Sequence, residues 1–167
     1  VTSYLEKAFG GFPRSYPYWG GDAMAYASSG FIWDNVLEHK KTLRVYGEFV
    51  EATIKWKDGR KGRPNFIDCY RDFMDKKGEI DIQATAAIKT LEPYLCPTAI
   101  GFPSIVPDVH RAEQFISELK EFEKKGELPN FMIMLLPNDH TSGTRPDTPT
   151  PAACVADNDL ALGQIVE

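Results

Sequence analysis

The sequence predicts an α/β fold, because helical and strand patterns alternate along its second half. Between Asp108 and Gly126 an apolar residue recurs every three or four positions, which is typical of an amphipathic helix. The run Phe131 to Leu136 is apolar throughout, as expected for a strand covered on both faces of a parallel sheet. A second helical pattern occupies Pro151 to Glu167. Helix, strand, loop and helix in this order indicate an α/β architecture.

The composition is that of one ordinary globular domain. The chain has 167 residues, of which 43% are hydrophobic and 26% charged, and a domain usually contains ~150 residues. The net charge of -5 removes the usual electrostatic reason for binding nucleic acid. No apolar run approaches the ~18 residues that a membrane-spanning helix needs. We therefore expect one domain over residues 1–167, without nucleic acid as a stable partner and without a membrane span.

Four elements are expected in the first 50 residues. Val1 to Ala8 has the spacing of a helix end, and residues 10–30 form a loop rich in Gly, Pro and aromatic residues. Apolar residues on one helical face predict a helix over Phe31 to Glu38. The β-rich stretch Thr42 to Val50 predicts a strand.

The middle of the chain, residues 52–107, is expected to be an insertion or lid made of helices and irregular segments. Lys55 to Arg63 is basic and contains two glycines, so it is either a solvated turn, which is the favoured interpretation, or an anion-binding patch. Helical spacing predicts helices over Phe66 to Lys76 and Ile82 to Leu91. Four prolines then interrupt regular structure before residue 108.

The two helices of the second half have recognisable ends. Asp108 is a good N-cap for the first, and Gly126 ends it after two lysines. Thr150 is the expected N-cap of the last helix. No stop signal follows that helix, and the chain starts with Val1 instead of methionine. We therefore expect a piece of a longer protein, truncated at both ends.

The three cysteines are expected to be free thiols. Their number is odd, they lie far apart, and no CxxC pair is present. One disulfide with one remaining thiol is the alternative. The cysteines are Cys69, Cys96 and Cys154.

Charged residues on the predicted helices are mostly expected to face solvent. His39 and His110 are expected at the surface, the first beside two lysines and the second in the first turn of a helix. Asp157 and Asp159 either support a functional site from the last helix or form its solvent-exposed face, and the second interpretation is favoured.

The loop from Pro137 to Arg145 carries the strongest chemical signal, because functional residues of α/β proteins gather after the carboxyl ends of strands. Asp139 and His140 together offer the oxygen and nitrogen ligands that suit zinc or another divalent transition metal. Neighbouring side chains reach one metal only if the backbone turns between them. Arg145 is a candidate for phosphate contact. From composition alone the other interpretation is favoured, in which these polar residues are loop formers that bond to their own backbone, namely Asn138, Asp139, Thr141 and Ser142.

This loop and its surroundings resemble the phosphoesterases of the alkaline phosphatase superfamily. The resemblance covers Leu128 to Arg145, with the motif Asn138-Asp139-His140-Thr141, and the helix segment Ala156-Asp157-Asn158-Asp159. It extends upstream to Arg14 to Tyr18 and Gly30 to Asn35.

The resemblance implies a partial three-layer sandwich around a mainly parallel sheet. It implies hydrolysis of small phosphate esters by a Ser or Thr nucleophile that a divalent metal activates and that lies outside residues 1–167. Asp139 would be one metal ligand and His140 a second, while the remainder of the same chain would complete the site. The relatives suggest a bacterial protein that is exported or exposed at the cell surface.

Two other functions are compatible with parts of the sequence. The aromatic segment Tyr16 to Tyr26 is typical of a surface that binds a ligand or a protein, which would make the chain a non-catalytic binding or interaction module. A nucleotide-binding domain is disfavoured, because the chain has no GxGxxG or Walker-type loop.

Overall fold

The computed structural model describes residues 26–167, so the predictions for Val1 to Ala8 and for most of the aromatic loop lie outside the described residues. The elements in chain order are helix α1 (Ile32–Glu38), strand β1 (Leu43–Tyr46), strand β2 (Val50–Trp56), helix α2 (Phe66–Met74), strand β3 (Ile80–Ala86), a 3-10 helix (Lys89–Tyr94), helix α3 (Asp108–Lys125), strand β4 (Phe131–Met134), a second 3-10 helix (Pro137–Asp139) and helix α4 (Pro151–Val166).

The described strands form two separate sheets of two strands each. β1 and β4 are parallel, with Leu43 opposite Phe131 and Tyr46 opposite Met134. β2 and β3 are antiparallel. The mixed α/β class is thus confirmed, together with a small parallel sheet that contains the apolar run of the sequence.

Helices cover both faces of the parallel pair. On one face Val45 and Ile133 belong to the core that contains Trp33 of α1. On the other face Tyr46 packs edge-on against Phe115 of α3, with 5.1 Å between the ring centroids. Because successive side chains of a strand point to opposite faces, an uninterrupted apolar strand is what such two-sided cover requires.

The predicted helix ends agree with the structure in two of three cases. Gly126 ends α3 in the left-handed region, with φ of 69°. The Thr150 hydroxyl caps α4 by accepting a hydrogen bond from the Ala153 amide, 3.2 Å away. The prediction for Asp108 was wrong: Pro107 is the N-cap, and Asp108 is the first helical residue. Its carboxylate bonds instead to Arg111 and to the loop after β4.

One predicted helix is a strand. The stretch Ile82 to Leu91 was expected to be helical, but it contributes to β3 and then to the 3-10 helix. Ile82 lies opposite Ile54, and Ala84 opposite Ala52, in the antiparallel ladder. Pairing with β2 along seven positions therefore decides its conformation.

A close approach of two backbone segments forms the carboxyl end of β1. Gly47 follows this strand with φ of 80°, and a Cβ atom at this position would lie 2.7 Å from the Ile100 carbonyl oxygen. Glycine is needed here because a side chain would meet backbone. The segment before α3 therefore packs against the carboxyl end of β1, which is the end of the sheet that carries the candidate site.

The structure also answers three smaller predictions. All three cysteines are free and buried, so the disulfide alternative is excluded. Of the predicted turn Lys55 to Arg63, the first two residues belong instead to β2, where they pair with β3. Residues 57–63 are exposed, and Arg60 bonds to Asp58 and Glu79, which agrees with a solvated turn. Within residues 26–167, no helix has the length and the apolar character that membrane crossing requires.

Candidate functional site

The loop with the predicted ligands leaves the parallel sheet at its carboxyl end. The Leu135 amide still donates to the Tyr46 carbonyl at 2.9 Å, and the 3-10 helix Pro137–Asp139 then turns the chain. Pro137 and Asn138 are buried, whereas Asp139 and His140 are exposed. The loop is therefore anchored by its first two residues and presents the next two to solvent.

Asp139 and His140 meet the condition that the sequence left open. The His140 amide donates to the Pro137 carbonyl at 3.0 Å, so the backbone turns between the two side chains. As a result, Asp139 Oδ1 and His140 Nε2 are 3.9 Å apart, and the side chains are 58% and 68% exposed. Two ligands on one tetrahedral zinc ion lie about 3.4 Å apart, given bond lengths of about 2.0–2.1 Å. A side-chain movement of about half an ångström would bring both atoms to one metal.

The aromatic ring beside His140 limits where this imidazole can lie. Phe102 contacts it edge-on, with 5.4 Å between the ring centroids. Phe102 comes from the segment that Gly47 holds near the end of β1. The imidazole thus has an apolar neighbour on one side and solvent on the other.

Arg145 lies in the same exposed loop, six residues after Asp139. Its backbone is ordered locally, because its amide donates to the Ser142 carbonyl and its carbonyl accepts from the Thr148 hydroxyl at 2.7 Å. Among the described residues its guanidinium has no hydrogen-bond or ion-pair partner. It is available to an anion, but the structure does not bring it into contact with Asp139 or His140.

Beneath the exposed loop is a group of five polar residues that we call the buried polar cluster. Asp108, Arg111 and Asn138 are buried, and Asp157 and Asn158 are half-buried. The cluster joins the start of α3, the turn after β4 and the middle of α4. The Asn138 amide donates to Asp108 Oδ2 at 3.0 Å, and its side-chain nitrogen donates to Asp157 Oδ2 at 2.5 Å. Asn158 donates to the same Asp108 oxygen and to the Leu136 carbonyl, both at 2.9 Å.

Arg111 is the centre of this cluster and is only 1% exposed. Its guanidinium donates to Asp108 Oδ1 at 2.9 Å. It also donates to four carbonyl oxygens of the segment before α3, namely those of Ile100, Gly101, Pro103 and Val106. A fork of fixed donors can satisfy several acceptors at once, which explains arginine at this position. Arg111 thus fixes the irregular segment that supports the site.

Asp157 caps α3 from the neighbouring helix. Its carboxylate accepts from the amides of Asp108 and Val109, at 2.6 and 3.4 Å. A carboxylate at a helix N-terminus satisfies amides without an intrahelical partner and complements the helix dipole. The favoured prediction that Asp157 faces solvent was therefore wrong, whereas Asp159 is exposed as expected.

Burial shifts the pKa values in this cluster. It raises the pKa of the Asp108 carboxyl, against the opposing effect of the Arg111 charge. It lowers the pKa of Arg111 to about 10, so the guanidinium stays protonated at neutral pH. Arg111 pairs with Asp108, and both aspartates of the cluster, Asp108 and Asp157, accept hydrogen bonds from amide groups.

The sequence pointed to the exposed half of this site and missed the buried half. Asp108 and Arg111 are three residues apart on one helix, which is a usable signal for an ion pair. The less favoured alternative for Asp157, that it supports a functional site from the last helix, is the one that these contacts match. The sequence does not show which residues Asp157 meets, because these contacts depend on how α4 packs on α3.

The described residues supply only part of a metal site. Between residues 26 and 167, no group of three or more His, Cys, Asp or Glu side chains is arranged to hold a metal ion. Asp139 and His140 are two donors of a kind that fits zinc, and a closed tetrahedral site needs four ligands. Comparisons of the chain with protein-family models, with curated proteins and with solved structures find no match.

Proposed function

We propose that this chain is the central part of a metal-dependent phosphoesterase, with Asp139 and His140 as two ligands of a divalent transition metal. In this proposal the nucleophilic Ser or Thr and the other ligands belong to the remainder of the same protein. The two-stranded parallel sheet is then part of a larger, mainly parallel sheet in a three-layer sandwich. The proposal rests on the resemblance of the Asn-Asp-His-Thr loop to the alkaline phosphatase superfamily.

The observation that carries the proposal is the turn between Asp139 and His140. It brings an oxygen and a nitrogen ligand to 3.9 Å from one another at the carboxyl end of parallel strands. This is the end of an α/β sheet at which ligands usually bind. A metal held there would polarise a phosphoryl oxygen. Arg145 is exposed in the same loop, and in this proposal its guanidinium attracts the phosphate.

Calorimetric titration of the chain with zinc, manganese and calcium tests the proposal. We expect zinc to bind to the wild type and Asp139→Ala to abolish that binding. Because the Asp139 side chain is exposed and accepts no hydrogen bond from another described residue, its loss should leave the melting temperature unchanged. Asp159→Ala, which removes an exposed carboxylate on α4, is the matched control and should bind zinc normally.

Two results would count against the proposal. Zinc binding that persists in Asp139→Ala would place the metal elsewhere. If the wild-type chain binds no metal, the metal contents of wild type and Asp139→Ala are compared in the longer protein, in which the ligands from the other segments are present. Equal metal content of wild type and Asp139→Ala in that protein would refute the assignment.

A further inference from the structure

A groove of about 860 Å³ lies at the opposite end of β1 and β4 from Asp139. It is bordered by the segment 40–42, which precedes β1, and by Leu128 and Pro129, which precede β4. The last turn of α3 forms the remaining side. Because the two strands are parallel, the groove lies at their amino ends and the candidate metal ligands at their carboxyl ends. Its volume is within the range of about 300–1,000 Å³ that is typical of small-molecule sites.

The groove has an apolar lining that the described fold does not cover. Leu37 of α1, Leu43 of β1 and Phe122 of α3 contribute to it. Leu128 stands at its edge and is 55% exposed, so it adds accessible apolar surface to the groove. A ligand with an apolar body would therefore find surface to bury here.

Around the groove, unpaired positive charges outnumber unpaired negative charges. Arg44 is not free, because it pairs with Glu118. Three lysines of the lining, Lys40, Lys41 and Lys125, form no ion pair within the described part of the chain. Glu127 is the one carboxylate of the lining that is likewise unpaired there, since Glu121 pairs with Lys124 at 2.6 Å. This excess of cations occurs on a chain whose net charge is -5.

Helix dipoles account for part of this pattern but not for all of it. α1 and α3 both end at the groove, and lysines are favourable at helix C-termini. That effect explains why cations occur here. It does not explain an exposed leucine and an apolar lining between them.

We propose that this groove binds a small amphipathic carboxylate. Its apolar body would lie along Leu37, Phe122 and Leu128, and its carboxylate would face Lys40 and Lys41. Apolar surface beside unpaired cations is complementary to such a molecule and not to a cationic or purely polar one. The site is separate from the candidate metal ligands, so it does not depend on the proposed phosphoesterase activity.

Calorimetric titration of the 167-residue chain with dodecanoate, below its micelle concentration and at low salt, tests this inference. We expect saturable binding at one site, weakened by added salt. The double variant Lys40→Gln, Lys41→Gln should bind about fivefold more weakly, as expected for the loss of two exposed charge pairs. Leu128→Ser should weaken binding by about fivefold as well, because it removes half-exposed apolar surface from the groove.

Matched controls separate the groove from general stickiness. Lys120→Gln changes a lysine of α3 that does not line the groove, and Leu162→Ser changes a half-exposed leucine of α4. Both should bind dodecanoate as the wild type does, and dodecyltrimethylammonium should bind much more weakly than dodecanoate. The inference is overturned if dodecanoate does not bind saturably, if the two amphiphiles bind equally, or if the control variants lose as much affinity as the groove variants.

Discussion

His110 is the residue whose surroundings differ most from what its sequence position suggests. It was expected at the surface, but it packs edge-on against Phe73 of α2 at 5.5 Å between centroids. Its Nδ1 atom is buried and has no hydrogen-bond partner among residues 26–167. Burial, and next the positive charge of Arg111, lower its pKa from 6.5 to about 4, while Asp72 opposes the shift. The folded protein therefore holds this imidazole neutral.

A pH dependence of stability follows from His110. Between pH 6.5 and about 4 the unfolded chain binds a proton at this imidazole that the folded chain does not bind. Unfolding is thus favoured as the pH falls through this window, by up to about 3 kcal/mol at its lower end. We expect His110→Gln to remove this part of the pH dependence in urea unfolding measured from pH 7 to pH 4. His39→Gln, at an exposed position, should keep the wild-type dependence, and equal curves for the two variants would contradict the assignment.

At the residue scale, the sequence predicts the exposure of a polar side chain only where its position on a helix decides what surrounds it. His39 and Asp159 are exposed, as expected from their position on a helix surface. His110 and Asp157 also lie on helices, but tertiary packing leaves both side chains half-buried between elements. Asp139 and His140 are exposed in the loop after β4, a strand that the apolar run of the sequence predicts.

At the scale of elements, α3 and α4 are joined by a polar contact as well as by apolar packing. Val109, Ala112 and Ala161 form a small hydrophobic core between the two helices. Asp157 adds a carboxylate that caps α3 and accepts from Asn138. The turn carrying Asp139 is therefore fixed to both helices.

Replacing Asp157 tests this connection. Asp157→Asn replaces one carboxylate oxygen by an NH2 group, which cannot accept a hydrogen bond. At least one of the amide groups that donate to Asp157 therefore loses its acceptor, which should lower the free energy of unfolding by about 1–3 kcal/mol. Urea unfolding should show this loss as a lower midpoint. Asp159→Asn, the same substitution two residues away at an exposed position, should change the free energy of unfolding by less than about 0.5 kcal/mol. Similar midpoints for the two variants would show that the cap contributes little.

The helices and the parallel strands could be predicted from the sequence, whereas the antiparallel strands β2 and β3 could not, for a physical reason. Helices with one apolar face and a terminal cap, such as α3 and α4, carry their signal within a single segment. In Ile80–Ala86, inward-facing residues at Ile80, Ile82 and Ala84 alternate with others, but the alanines also suit a helix. Its pairing with β2, more than 20 residues earlier, settles the choice, and a window on the sequence does not contain that information.

At the scale of the whole molecule, the fold brings two different surfaces to the two ends of one parallel strand pair. The carboxyl end presents Asp139 and His140, held from below by the buried polar cluster. The amino end presents an apolar groove with unpaired lysines. The sequence indicated the first surface, because its residues are contiguous. It did not indicate the second, whose lining comes from three stretches that are distant in sequence, within residues 37–44, at Tyr94 and within residues 118–129.

The whole molecule also determines whether the isolated chain can catalyse. Hydrolysis of a phosphate ester by bound metal requires ligands that fix the metal and a nucleophile positioned against the phosphorus. The described residues supply two ligands, and the hydroxyls of Thr141 and Ser142 make no hydrogen bond to any described histidine or carboxylate. We therefore expect zinc-supplemented chain to hydrolyse p-nitrophenyl phosphate no faster than Asp139→Ala does. A zinc-dependent turnover that Asp139→Ala abolishes would contradict this expectation and would show that residues 1–167 hold a complete site.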